Sequence, residues 1–247
     1  MIRRILFLGL FISGVILYAF RGNGRFDNWW GSGVRGSGVE RTETREVGKF
    51  KGVEVGGAFD VEIVSGASDS KVELIGDDNL LEYVETDVAG GTLNIQTRKS
   101  ISPKVKLRIR ITTPDLASLR SSGASDVVLS GVKNERFTIE TSGAGSVKAA
   151  VETNDLRIET SGAGDVRVSG KAKTLAMETS GAADIDAHEL KAEKVRVEVS
   201  GAGDVSVFAA EELDVQVSGA GDVQYYGSPK VINQDVSGAG SIRKKGQ

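Results

Sequence analysis

The residues of this chain that could do chemistry are acids placed at fixed distances from a repeated glycine-rich phrase, Ser-Gly-Ala-Gly or a near copy of it. Four positions after the first Ser of each copy stand Asp126, Ser146, Asp165, Asp184, Asp204, Asp222 and Ser241. Two positions before that Ser, from the second copy onward, stand Glu140, Glu159, Glu178, Glu198, Gln216 and Asp235. Acids in such columns could hold a divalent cation, or could act in pairs on a glycosidic bond.

One hypothesis is that Asp165, Asp184, Asp204 and Asp222 bind a divalent cation, because Gly-rich turns with Asp also occur in calcium-binding β-roll repeats. Those repeats are about nine residues long and place ligands on both turns. Here the period is about twice as long, and the second corner of each repeat lacks the motif. We therefore predict no dedicated metal site and no cofactor, with weak cation binding left open. Each Asp is expected to accept backbone N–H bonds beside its turn.

The sequence also predicts no catalytic residues. A catalytic acid pair is expected at one place in the chain, where it departs from the repeated pattern. These acids instead recur at the same positions in nearly every repeat. His188 is the only histidine, in the corner 187–190, and has no matched nucleophile for a triad. The column of Ser residues lacks a base and is expected to form a hydroxyl ladder or to support turns. No cysteine is present, which excludes thiol nucleophiles and Cys-based metal sites. A carbohydrate-active β-helix enzyme remains the alternative hypothesis.

The elements that must position these side chains are the coils of a solenoid. The glycine-rich phrase begins at Ser122, Ser142, Ser161, Ser180, Ser200, Ser218 and Ser237. Successive copies are therefore separated by 20, 19, 19, 20, 18 and 19 residues. A fixed period of this length is typical of a stack in which each repeat is one coil.

Within each coil, apolar residues occupy alternate positions, as Phe137 and Ile139 do before a glycine-rich corner and Val147 and Ala149 do after one. This period of two predicts half-buried strands. Only Gly adopts positive φ without steric cost, so we expect the two glycines of each phrase to make a sharp bend. The predicted fold is all-β, a right-handed parallel β-helix with coils stacked ~4.8 Å apart.

The N-terminal segment predicts export. Arg3 and Arg4 precede an apolar run over residues 5–20, so residues 1–20 are either a cleaved signal peptide or an uncleaved anchor in the inner membrane. Either way the arginines stay cytoplasmic, and the rest is expected in the periplasm or at the cell surface. Residues 21–48 are rich in Gly, Ser and Arg and are interpreted as a linker.

Residues 49–247 are interpreted as one solenoid domain. Its first part, residues 49–120, is less regular and is expected to cap one end, while residues 121–247 carry the repeats. At the other end, Tyr225 and Tyr226 are expected to cover the last coil. The net charge of −3 and the absence of a basic face predict no nucleic-acid partner.

Several of these features together resemble a known family. The segments that carry the resemblance are Phe59-Asp-Val-Glu-Ile63, Asp78-Asn-Leu80, the recurring Ser-Gly-Ala-Gly-Asp, and Tyr-x-Gly-x-Pro at Tyr225, Gly227 and Pro229. From about residue 50 to its C-terminus the chain is similar to the head GIN domain family, whose members are described as auto-transporter adhesins. The resemblance implies a mostly β, right-handed helical fold in an exported bacterial protein, and it implies no catalytic residues.

These observations predict a non-enzymatic module of the cell envelope or surface that binds an envelope glycan or a protein. A membrane-tethered envelope sensor or scaffold is the other alternative, and it requires the N-terminal anchor to be retained.

Overall fold

The structure is a computed structural model that describes residues 33–246. The predicted signal peptide or anchor and residues 21–32 of the predicted linker lie outside the described residues. Within residues 33–246, no helix has the length and hydrophobicity that a membrane crossing requires.

The described chain is almost entirely β-structure, with one 3₁₀ turn at Leu81–Tyr83. The strands are β1 Val34–Arg35, β2 Glu40–Glu46, β3 Gly52–Gly56, β4 Asp60–Ser65, β5 Lys71–Asp77, β6 Val84–Ala89, β7 Thr92–Thr97, β8 Ile101–Ser102, β9 Arg108–Thr113, β10 Ser118–Ser121, β11 Asp126–Thr141, β12 Val147–Thr160, β13 Val166–Thr179, β14 Ile185–Val199, β15 Val205–Val217, β16 Val223–Gly227, β17 Val231–Val236 and β18 Ile242–Lys244.

The long strands β11 to β15 each form most of one coil, and consecutive coils pair in parallel. Residues at equivalent positions lie directly above one another, so inward side chains form columns. One such column consists of Phe137, Leu156, Leu175, Val195 and Leu213, all at most 2% exposed. Burial of each contributes about 1.5–3 kcal/mol. The predicted solenoid with coils of about 19 residues is thereby confirmed.

The N-terminal part adds coils to the same stack in an order that differs from the chain order. Strands β3 and β4 pair with β10 and β11 on one side and with β7 and β9 on the other. Antiparallel β2, β5 and β6 then close the stack. The expected N-terminal cap is present, but it begins earlier than predicted, since residues 34–35 and 40–46 of the predicted linker are strands. Their hydrogen bonds to β8 and β5 order them.

The glycine-rich corners contradict the expectation of positive φ. Glycines with positive φ include Gly131, Gly170 and Gly227 in the second corners, and none belongs to a Ser-Gly-Ala-Gly phrase of residues 33–246. The phrase needs glycine for a different reason. A Cβ on Gly162 would overlap the carbonyl oxygen of Gly143 in the coil beneath. With only hydrogen there, the α-carbon can approach that oxygen, and Ala163 N–H donates to the same carbonyl at 3.0 Å.

The last coil also differs from the expectation for its aromatic residues. Tyr225 is only 7% exposed and lies in register with inward-facing Val207, so it belongs to the core. It does not cover the end of the stack, where every residue of β17 is exposed.

The column next to each glycine-rich corner contains buried hydroxyl groups. Thr141, Thr160 and Thr179 stack in register, each at most 8% exposed, and their hydroxyls have no hydrogen-bond partner within residues 33–246. Val199 and Val217 occupy the same column in later coils. A buried hydroxyl without a partner costs free energy that an isosteric methyl group does not.

Replacing Gly162 by Ala should lower the free energy of unfolding by about 3 kcal/mol, because backbone atoms of the coil beneath must move. Thermal unfolding followed by circular dichroism measures the change. Gly48→Ala is the matched control, since a Cβ there meets no atom within 4 Å. Equal stability of the two variants would contradict the close-packing explanation.

Replacing Thr160 or Thr179 by Val should raise the free energy of unfolding by about 1 kcal/mol each, because the unpaired hydroxyl is removed without a change of shape. Urea unfolding gives the difference. Thr138→Val on the half-exposed outer face should have little effect. Destabilisation by both buried substitutions would show that those hydroxyls are hydrogen-bonded in solution.

Candidate functional site

The glutamate column lies on the outer face of the stack and is neutralised by arginines. Glu140, Glu159 and Glu178 are in register. Arg157 forms ion pairs with Glu159 and with Glu178 of the next coil. Arg120 similarly joins Glu54 at 3.1 Å and Glu140 at 2.8 Å, and these carboxylates raise the pKa of Arg120. The column therefore stabilises the stack, and no single pair of acids is set apart from the others.

The serine column borders the same face across a shallow depression of about 230 Å³. Ser200 donates its hydroxyl proton to Thr179 O of the coil beneath at 3.3 Å, and Ser218 donates to Val199 O at 3.5 Å. Within residues 33–246, no Ser hydroxyl is hydrogen-bonded to His188. The serines thus support the corners, as the sequence pattern predicts.

The aspartate column binds backbone atoms. Asp184 Oδ1 accepts the N–H of Asp204 at 3.0 Å, and Asp204 Oδ1 accepts that of Asp222 at 3.1 Å. The hydroxyl and N–H of Ser241 bind Asp222, and the hydroxyl bond is the main cause that lowers the pKa of Asp222. The expected structural role is confirmed for these residues. Nowhere in residues 33–246 do three or more His, Cys, Asp or Glu side chains gather as metal ligands would.

His188 lies on an outer face, where its Nδ1 contacts Asp186 and its ring packs against the Tyr226 ring at a tilt of 38°, with the centroids 5.4 Å apart. The histidine is half-buried rather than fully exposed. Asp186 orients the ring, but the arrangement supplies no nucleophile, so it remains a structural contact.

The structure also reveals a trough that the sequence analysis did not predict. This lysine trough has a volume of about 470 Å³. It is lined by Asn134, Glu152, Thr153, Asn154, Lys171, Ala172, Lys173, Lys191, Ala192, Glu193, Phe208 and Ala210. Small side chains form its floor, since Ala172 and Ala192 are buried and in register, and longer side chains rise on both sides.

Three ammonium groups surround that floor. Lys171 and Lys173 flank Ala172 along the strand, and Lys191 lies in register with Lys171 in the next coil. The Nζ atom of Lys191 lies 3.9 Å from the centroid of the Phe208 ring. Neighbouring Lys133 and Lys194 form ion pairs with Glu152 and Glu212, whereas none of the three trough lysines forms an ion pair with another part of residues 33–246.

The trough could be found from the sequence only after the coils had been aligned. Lys171-Ala172-Lys173 and Lys191-Ala192-Glu193 fall in the irregular second corners, which carry no repeated phrase. The parallel register that brings Lys171 beside Lys191 includes a shift between Arg167 and Gly170. A shift of this kind cannot be placed from the alternation of apolar residues alone.

A buried carboxylate organises the N-terminal cap. Asp77 is 0% exposed and accepts the backbone N–H of Gly38 at 2.5 Å and those of Lys104 and Val105 at 2.9 Å each. Burial by itself would raise the pKa of Asp77, but the three N–H bonds and the charge of Lys104 together lower it. Asp77 thereby fixes the residues before β2 to the rest of the cap.

Asp77→Asn should lower the free energy of unfolding by about 2 kcal/mol at pH 7, since the amide cannot accept all three bonds as a carboxylate does. A lowered pKa stabilises the fold above the ordinary value of 3.8, and this contribution is lost as the pH falls through the lower folded value. The difference from the unmodified protein should therefore shrink as the pH falls below the ordinary pKa of 3.8 and through the lower folded value.

Urea unfolding at pH 7 and at low pH measures this effect, with exposed Asp87→Asn as the control. A difference that stays constant down to the lowest pH would show that Asp77 does not act through its charge.

The chain is similar to one protein family and to several solved structures. A sequence model of the family described as "Putative auto-transporter adhesin, head GIN domain" matches residues 49–229. No curated protein sequence matches the chain at a significant level.

Several crystal structures share the fold. A "putative adhesin" from Bacteroides fragilis has a TM-score of 0.83 at 27% identity, with 86% of this chain and 100% of that chain covered. A "putative lipid binding protein" from Parabacteroides distasonis has a TM-score of 0.69 at 22% identity, covering 86% and 99%. A "putative adhesin" from Parabacteroides merdae has a TM-score of 0.67 at 19% identity, covering 86% and 98%.

Proposed function

The chain belongs to the head GIN domain family, and on that premise we propose that it is an exported, non-enzymatic adhesin-like module that binds an acidic glycan of the cell envelope in the lysine trough. The basic and apolar pattern of residues 1–20, which is typical of a signal peptide or anchor, supports the export part of this proposal. A rigid solenoid suits this role because each coil holds its neighbours in register, so the trough is formed before any ligand arrives.

The observation that carries the proposal is the combination of Phe208 with Lys171, Lys173 and Lys191 in one concave surface. The ammonium groups can donate charge-assisted hydrogen bonds to carboxylates of a glycan chain. The Phe208 ring can contact the apolar face of a sugar. Glu152 and Glu193 also line the trough and would accept bonds from sugar hydroxyls.

A binding role also agrees with the pKa shifts and the ion pairs of the carboxyl groups. Cleavage of a glycosidic bond usually needs a carboxylic acid whose pKa is raised. The pKa values of Glu73, Asp77 and Asp222 lie below their ordinary values, the opposite of what such an acid requires. The Glu column is engaged by arginines, so these acids are not placed to donate a proton.

Binding of the full-length protein to an array of acidic and neutral polysaccharides tests the proposal. Polyuronates should bind, and their carboxyl-reduced forms should bind more weakly. The double variant Lys171→Gln, Lys191→Gln should lose about tenfold in affinity, because two exposed ion pairs contribute up to about 1 kcal/mol each. Phe208→Ala should weaken binding without changing its salt dependence.

The matched control is Lys148→Gln with Arg167→Gln, which removes the same charge from an outer face away from the trough. This control should retain its affinity within about twofold. Equal loss in both double variants would show a non-specific charge effect. Release of shortened chains during the assay would favour the enzyme hypothesis.

A further inference from the structure

The two ends of the solenoid differ in how their last strands are protected from pairing with another chain. At the N-terminal end, Leu80 and Leu81 are at most 1% exposed, and the outermost strand β2 carries charged residues that discourage edge pairing. At the C-terminal end, β17 pairs with β15 alone among the strands of residues 33–246. Its other edge therefore presents unpaired backbone groups.

The side chains of β17 continue the core columns into solvent. Ile232 and Val236 lie in register with Leu213 and Val217, which are 0% and 2% exposed. Ile232 and Val236 are each 43% exposed, because no further coil covers them. An exposed edge strand that carries Val231, Ile232 and Val236 and only one charged residue, Asp235, can act as a template for another strand.

The direction of the backbone groups follows from one hydrogen bond. Ser237 donates its N–H to Val217 O of β15 at 2.9 Å. Because alternate residues of a strand direct their N–H and C=O to opposite sides, Asp235 and Asn233 also face β15. The polar groups of Ile232, Gln234 and Val236 then face the free edge. The same three residues carry the inward side chains, since their partners in β15 are buried.

We propose that β17 pairs antiparallel with β17 of a second copy, about a two-fold axis at Gln234. This register places Ile232 opposite Val236 of the other copy twice, and Gln234 opposite itself. All three pairs are of the hydrogen-bonded type, which gives roughly six N–H···O bonds. On the outer face, the Asn233 amide lies opposite the Asp235 carboxylate of the other copy and can donate to it.

A second copy is the occupant favoured by this self-complementarity. When two strands pair, side chains of the inner face must remain on the same face of the extended sheet. A register centred on Gln234 meets this requirement and also places Ile232 of one copy against Val236 of the other. A six-residue strand buries less surface than a standard interface, so the dimer should be weak and concentration-dependent. The dimer would present two lysine troughs and thus increase avidity, but its formation does not depend on the glycan proposal.

Disulfide trapping tests the register directly, because the chain contains no cysteine. Gln234→Cys in the full-length protein should form a covalent dimer on mild oxidation. Opposite Cα atoms of a hydrogen-bonded pair lie about 5.5 Å apart, within disulfide range. Asn233→Cys is the matched control, since the two copies of residue 233 are offset along the strands and should cross-link at least tenfold less.

Sedimentation of the full-length protein in detergent provides a second measurement. Gln234→Pro removes an N–H that faces the free edge and should shift the protein to monomer, while Gln234→Ala should leave the dimer fraction unchanged. Equal cross-linking of the two cysteine variants, cross-linking to a different protein, or a dimer that survives Gln234→Pro would each overturn the proposal.

Discussion

The close approach of glycine corners in successive coils is the constraint on which the rest of the structure depends. At each corner, the carbonyl oxygen of one glycine occupies the space that a Cβ of the next glycine would need. Ala144, Ala163 and Ala202 donate their N–H groups to the same carbonyls at 3.0 Å. This contact sets equivalent residues one strand spacing apart, and the core columns, the acid columns and the arginine ladders follow from it.

The first glycine of the phrase is present in every copy, while the second position tolerates Ser125 and Ala183. The coils therefore approach each other most closely at the first glycine of the phrase. Repetition also explains why the acids and hydroxyls are structural, since a residue used in every coil meets the same neighbours each time. The trough lies where regularity fails, at second corners whose register shifts between Arg167 and Gly170 and again near Ala192.

Much of this architecture could be predicted from the sequence because it depends on period and alternation. The strand pattern of Phe137 and Ile139, the coil length, and the N-terminal cap required only local sequence. The reason for the corner glycines could not be predicted from the sequence. A backbone with positive φ and a close approach to another coil both favour glycine, so the residue type does not distinguish them. The extent of the cap was missed because β2 is polar and is ordered by pairing with distant β5. The lysine trough was missed because Lys171 and Lys191 become neighbours only in the folded register.

Amide hydrogen exchange at the corner alanines is the most direct measurement of the central claim. If the corners are hydrogen-bonded to the coil beneath, the N–H groups of Ala144, Ala163 and Ala202 should be protected as strongly as those of the flanking strands. Exchange at the rate of an unstructured loop, with the strands still protected, would contradict the account. It would show that the glycine corners do not hold successive coils together.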